Sequence, residues 1–218
     1  MSVKLKQVFS GKRLDEVHAL YETAFPASEK KPFSMIVSGQ GTGLVEILSL
    51  EENNRFLGLA IMAKAGDRVL LDYFAIADEV RGHGAGSAAL QALRERYQGM
   101  RIIIEIESTK CEDEEELALR TRRKKFYLRN GFTMLPYYID LWGTEMEMLS
   151  NGQPCPYEEY LDIYTTSSLI SEISTFGDPD SLVPEEEQPV SPAESAAVRS
   201  SAPNNTCFFI SGNPLIVN

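Results

Sequence analysis

The sequence predicts an α/β (α+β) fold, a mixed and mostly antiparallel sheet with helices packed on it. Three observations predict it. Residues 44–50, 55–64 and 69–76 are strand-like apolar runs separated only by short polar turns, which reads as three sequential antiparallel strands. Residues 69–97 then read as strand, glycine-rich turn and helix, with Leu90, Leu93 and Tyr97 recurring at helical spacing behind Gly82, Gly84 and Gly86. Further strand-like runs at 101–107, 132–135, 137–141 and 145–149 alternate with one more helical segment.

Taken in order, residues 3–9 alternate apolar and polar side chains, as an outer strand does. Leu14, Val17, His18, Leu20, Tyr21 and Phe25 follow helical spacing up to Pro26, which places His18 on or beside the apolar stripe, as a packed core histidine. Residues 25–33 form a turn into a short second helix, with Phe25, Phe33 and Met35 as core residues. Glu51, Glu52, Asn53 and Asn54 join the next two strands as a hairpin turn. The 101–107 strand carries Glu105 and Glu107 on one face with Ile103. Residues 112–130 form a helix, acidic in its first turn and basic in its last half. That order of signs is what the helix dipole favours, so the segment reads as a solvated face rather than a nucleic-acid patch, and no nucleic-acid partner is expected. Residues 151–173 are expected to dock as one more helix on a domain of residues 1–150, and 174–218, rich in proline, serine and glutamate, to be disordered.

Composition narrows the classes. Of 218 residues 43% are hydrophobic, and no run is long enough for a membrane helix. The first residues lack the apolar core of a signal peptide, so a cytoplasmic protein with no membrane partner is expected. Cys111, Cys155 and Cys207 make no paired spacing, and with only His18 and His83 no metal site is expected. The net charge of -11 is local: residues 151–218 hold one basic residue against ten acidic, whereas residues 1–150 are nearly balanced.

The stretch that carries chemistry is Arg81-Gly82-His83-Gly84-Ala85-Gly86-Ser87. Alternate glycines bare the main chain where the first N–H groups of a helix lack intrahelical partners, and the helix dipole and Arg81 add positive charge, so the turn invites a phosphate or pyrophosphate. A nucleotide P-loop needs Lys-Ser or Lys-Thr after its glycines, and here Ser87 is followed by Ala88. A dinucleotide-binding fingerprint fits residues 84–89 by letter, but wants its first glycine at the strand end, and about seven residues intervene after Ile76.

Residues 81–86 match R/Q-x-x-G-x-G/A in full, and the string from Leu71 through the turn into the helix resembles the acetyl-CoA loop of the Gcn5-related N-acetyltransferase (GNAT) family. Phe126-Tyr127-Leu128-Arg129-Asn130-Gly131-Phe132 resembles that family's F-Y-x-x-x-G-F element. The resemblance covers about residues 3–149. It implies a mixed, mostly antiparallel sheet of about seven strands splayed between its fourth and fifth, helices on both faces, an acceptor site walled in part by residues 25–33 with Phe25, Phe33 and Met35 as candidate substrate contacts, and acetyl-CoA as cosubstrate without a metal. The pyrophosphate would lie on Arg81, Gly82, His83, Gly84, Ala85, Gly86 and Ser87, and the pantetheine arm along Phe74, Ala75 and Ile76. Tyr127 would return a proton to the departing thiolate, and Glu105 or Glu107, or a water held by one of them, would deprotonate an amine acceptor, small molecule or peptide. The expected protein is an N-acetyltransferase working by direct transfer, as monomer or homodimer.

Other readings stand beside these. Glu105 and Glu107 could instead ion-pair with the basic helix, Tyr127 could simply pack in the core, and Arg122 or Arg123 could hold a phosphate or an acidic acceptor. A non-catalytic acyl-CoA-binding module acting through a protein partner would keep the glycine turn and dispense with Tyr127 and the two carboxylates.

Overall fold

The structure is a computed structural model that describes residues 2–167 apart from Ser28 and Trp142. In chain order its elements are β1 (Lys4–Gln7), α1 (Lys12–Ala24), α2 (Phe33–Gly41), β2 (Val45–Glu52), β3 (Arg55–Ala65), β4 (Arg68–Ile76), a 3-10 turn (Asp78–Val80), α3 (Ala85–Arg96), β5 (Arg101–Glu107), α4 (Glu114–Arg129), β6 (Thr133–Leu141), β7 (Thr144–Ser150) and α5 (Tyr157–Ser167). The expectations for residues 174–218 lie outside the described residues.

The strands form one seven-stranded sheet in the order β1-β2-β3-β4-β5-β7-β6. Every neighbouring pair is antiparallel except β4 and β5, which run parallel. That pairing is short: only Arg68, Val69 and Leu70 stand opposite Arg101, Ile102 and Ile103. Beyond them the strands part, so the sheet is two blocks, β1–β4 and β5–β7–β6, joined at one end. Arg101 reinforces the joined end, its guanidinium bonded to Asp67 at 2.9 and 3.1 Å.

Neighbouring strand residues send their side chains to opposite faces, and this divides the core into two layers. Ile47, Leu59, Ile61, Leu70, Tyr73, Ile103 and Met148 pack beneath α1, α2 and α5. Leu48, Leu50, Ala60, Met62, Leu71, Phe74, Ile102 and Ile104 pack beneath α3 and α4. α5 is part of the first layer, with Tyr160, Ile163 and Tyr164 at most 3% exposed.

Local chemistry accounts for the boundaries. Asn53 and Asn54 both take positive φ, 51° and 64°, as a two-residue hairpin turn requires, and asparagine tolerates that region well. α1 stops because Phe25 precedes a proline and is extended. α4 starts on Asp113, whose side chain accepts from Glu116 N at 2.9 Å, and ends at Gly131 with φ 82°.

Two expectations are corrected. His18 is not in the core: its side chain is 49% exposed and stacks on Phe33 with ring centroids 4.2 Å apart, because the stripe of α1 that faces inward is Val17, Tyr21 and Ala24. The basic half of α4 is not simply a solvated face either. Arg120 and Arg123 reach Glu107, and Lys124 reaches Glu147 at 2.7 Å, so three cations turn toward sheet carboxylates.

Candidate active site

The glycine turn sits where β4 hands over to α3. Gly84 is the N-cap of α3 at φ 80°, in the left-handed region, and Gly82 has φ 79°. A Cβ built on either would meet no atom of the described residues within 4 Å, so open space lies above the main chain there. Among the described residues no acceptor takes the backbone N–H groups of residues 82–87, and the first intrahelical bond runs from Ala88 N to Gly84 O. These unpaired donors, open space and a helix dipole suit a diphosphate.

Arg81 is engaged by the turn itself. Its Nε donates to Ile76 O at 2.9 Å and its Nη2 pairs with Asp78 at 2.7 Å, so it ties the end of β4 to the start of the turn. His83 is exposed, its Nδ1 2.8 Å from Arg81 O. A cleft of about 820 Å³ opens beside the turn, lined by His83, Gly84, Ser87, Gln91 and Arg94, with Arg129 from the end of α4. Arg94 also holds α3 to that end, donating to Asn130 O and Gly131 O.

Phe74, Ala75 and Ile76 form the last part of β4, past the point where β5 has left it. Ala77 N donates to Leu57 O on β3. By the alternation of a strand, Ile76 therefore turns its own N–H toward the parting.

Tyr127 is 6% exposed and lies in the α3–α4 layer with Phe74, Ile76, Ile104 and Ile106. Its hydroxyl has no hydrogen-bond partner among the described residues. Burial pushes its pKa up to about 12, against a small opposing pull from Arg123, so the phenol keeps its proton at neutral pH.

The two β5 carboxylates have separate fates. Glu107 pairs with Arg120 Nη2 at 3.2 Å and Arg123 Nη1 at 2.5 Å, as an ion pair with the following helix would have it. Among the described residues Glu105 has no cation in contact. Its Oε1 accepts from the hydroxyls of Tyr160 and Tyr164 at 2.7 and 2.5 Å. Burial raises its pKa and the charge of Asp72 adds to the rise, whereas the two hydroxyls and Lys31 oppose it. Glu105 faces the α1–α2–α5 side and Tyr127 packs on the α3–α4 side, so the two lie on opposite faces of the sheet.

The link between α1 and α2 is tied to β4 beside this site. Tyr21 hydroxyl donates to Lys31 O at 2.8 Å, Tyr73 hydroxyl accepts from Lys31 N at 3.1 Å, and Lys31 Nζ pairs with Asp72 at 2.8 Å with both side chains buried. Phe25 is core, packed edge-on against Tyr73, while Phe33 and Met35 are only partly buried. Sequence reasoning did not single out Lys31, Asp72, Tyr160 or Tyr164. The tyrosines four apart on one helical face were the available signal.

Residues 44–134 match the family model described as an acetyltransferase (GNAT) domain. That match is to a domain within the chain and spans less than half of its 218 residues. Among solved structures, a protein from Bacteroides thetaiotaomicron described as an acetyltransferase from the GNAT family is 19% identical, with a TM-score of 0.64 over 77% of this chain and 97% of its own. Another, from Desulfovibrio desulfuricans and described in the same terms, is 15% identical, with a TM-score of 0.54 over 68% of this chain and 98% of its own. At these identities the likeness is one of fold, and it is the fold expected from the sequence, a mixed seven-stranded sheet that parts between β4 and β5. No curated protein matches the sequence.

Proposed function

We propose that this chain is an N-acetyltransferase that moves an acetyl group from acetyl-CoA to a primary amine by direct transfer, with both substrates bound together. The observation that carries this reading is the parting of β4 from β5 after three residue pairs, with the bare glycine turn at its rim, Tyr127 on one side and Glu105 on the other. When bound, acetyl-CoA supplies an activated acetyl group as a thioester. Residues 82–87 hold its pyrophosphate by main-chain N–H groups, Gln91 and Arg129 line the cleft offered to its nucleotide end, and residues 74–76 pair with its pantetheine arm.

An alkylammonium must lose a proton before its nitrogen can attack, since its pKa is about 10. Glu105 takes that proton, directly or through a water, and Glu107 is the weaker candidate because two arginines already hold it. As the nitrogen bonds to the carbonyl carbon, the N–H of Ile76 meets the negative charge growing on the oxygen. The carbon–sulfur bond then breaks, Tyr127 gives its proton to the sulfur, and the proton shed by the new amide nitrogen restores the phenol through solvent.

The test is thiol release from acetyl-CoA across a panel of polyamines, amino acids, aminoglycosides and peptides with free N-termini or lysines. Release with at least one amine, and acetylation of that amine by mass spectrometry, is the expected result. Tight acetyl-CoA binding by calorimetry with no release for any amine would overturn it in favour of a binding module.

A further inference from the structure

Helix α5 lies outside the residues 44–134 that match the family model, yet it reaches into the acceptor side of the site. Tyr160 and Tyr164 stand four residues apart, on one face of the helix, and both hydroxyls donate to the same oxygen of Glu105. Their rings meet edge-on with centroids 5.3 Å apart, and both side chains are buried. The arrangement is therefore held by packing. The other oxygen, Oε2, has no donor among the described residues and is not among the fully buried unpaired atoms. One oxygen is pinned and the other is left for a ligand.

The groups that face Glu105 come from several elements: Tyr160 and Tyr164 from α5, Asp72 from β4, Lys31 from the link before α2, and Tyr137 from β6. Lys31 is paired with Asp72, so their charges largely offset each other. The hydroxyls are then the direct contacts that solvate the charged carboxylate in place of water. A half-buried carboxylate without such donors shifts toward its neutral form, and a neutral carboxyl cannot accept a proton.

We propose that Tyr160 and Tyr164 are positioning residues that fix Glu105 by one oxygen and keep it a carboxylate at neutral pH, so that its free oxygen meets the acceptor amine. This rests on the reading of Glu105 as the base in acetyl transfer. It makes α5, a helix beyond the matched segment, a working part of the acceptor half of the site.

The experiment follows the titration of Glu105 by NMR in full-length protein labelled with 13C at the glutamate carboxyl carbon, the signal being assigned by its loss in Glu105→Gln. Hydrogen bonds to the charged form lower a carboxyl pKa, so removing either should raise it. In Tyr160→Phe and Tyr164→Phe, which keep ring and packing, the midpoint should rise by about one pH unit each, about tenfold less carboxylate at a given pH on the acid side. Midpoints unmoved in both single variants would overturn the clamp. With an amine that releases thiol, the acid limb of kcat/KM should move with the NMR midpoint. A limb that stays put while the midpoint moves would overturn the positioning role. Absence of release with every amine in the unaltered protein would overturn the transfer reading alone, and the NMR midpoints would still decide the clamp.

Discussion

Tyr127 rests edge-on against Phe132, ring centroids 5.9 Å apart and planes at 78°, just past the turn at Gly131 that ends α4. The ring is held by this contact and by a second one with Phe126, centroids 5.2 Å apart, and the hydroxyl contributes no hydrogen bond to the fold among the described residues. Tyr127→Phe should therefore leave thermal stability and acetyl-CoA affinity nearly unchanged while turnover falls about a hundredfold, the usual scale of a lost general acid. Calorimetry beside steady-state thiol release separates the two, and equal turnover would remove Tyr127 from the acid role.

Gly84→Val should abolish acetyl-CoA binding. A side chain there enters the open space over the turn and also strains a left-handed residue, at a cost of about 1–2 kcal/mol. Gly99→Val, at φ 85° in the turn after α3, carries the same strain away from the cradle and should lower the melting temperature without touching affinity. Calorimetry on both variants distinguishes a filled site from a weakened fold.

Gly58 answers to packing instead. A Cβ there would lie 2.2 Å from Ala75 O, a main-chain atom that cannot swing away. Gly58→Ala should cost about 1–3 kcal/mol in denaturant unfolding, the scale of an overpacked core, because β3 and β4 must separate. Acetyl-CoA affinity should fall with it, since the displaced residue lies on the stretch proposed to pair with the pantetheine arm.

Glu46 gives a pH dependence of known sign. Burial pushes its pKa up, but hydrogen bonds from Lys64, Arg96 and Tyr97 outweigh it, and the net shift is downward from the ordinary 4.5. A carboxyl lowered on folding adds stability that is present above its unfolded pKa and is lost as pH falls through the folded one. Glu46→Gln should cost about 2 kcal/mol at neutral pH, the scale of hydrogen bonds to a charged group, and flatten the loss of stability below about pH 4.5. Urea unfolding between pH 3 and 7 would show it, and parallel pH curves for the two proteins would refute it.

Features set by neighbours in the chain were legible beforehand. The glycine turn, the hairpin at Asn53 and Asn54, the acidic start of α4 and the glycine at its end each depend on a few adjacent residues, and each lies where the spacing predicts. Partners far along the chain were not. Glu105 and Glu107 look alike on one strand face, yet one meets arginines from α4 and the other meets tyrosines more than fifty residues away. His18 and Tyr21 differ by three positions on α1, and only packing against the sheet shows that one looks out and the other in. Arg81 looked like a free charge for a phosphate because sequence cannot show that Ile76 O and Asp78 already hold it.

The three-pair seam between β4 and β5 also bears on how the protein withstands heat. Two sheet halves are fastened at one end, and past it Phe74 and Ile76 carry amide protons with no strand opposite them among the described residues. A ligand seated in that opening would bridge the halves, so melting temperature and deuterium uptake at those two amides should track its concentration.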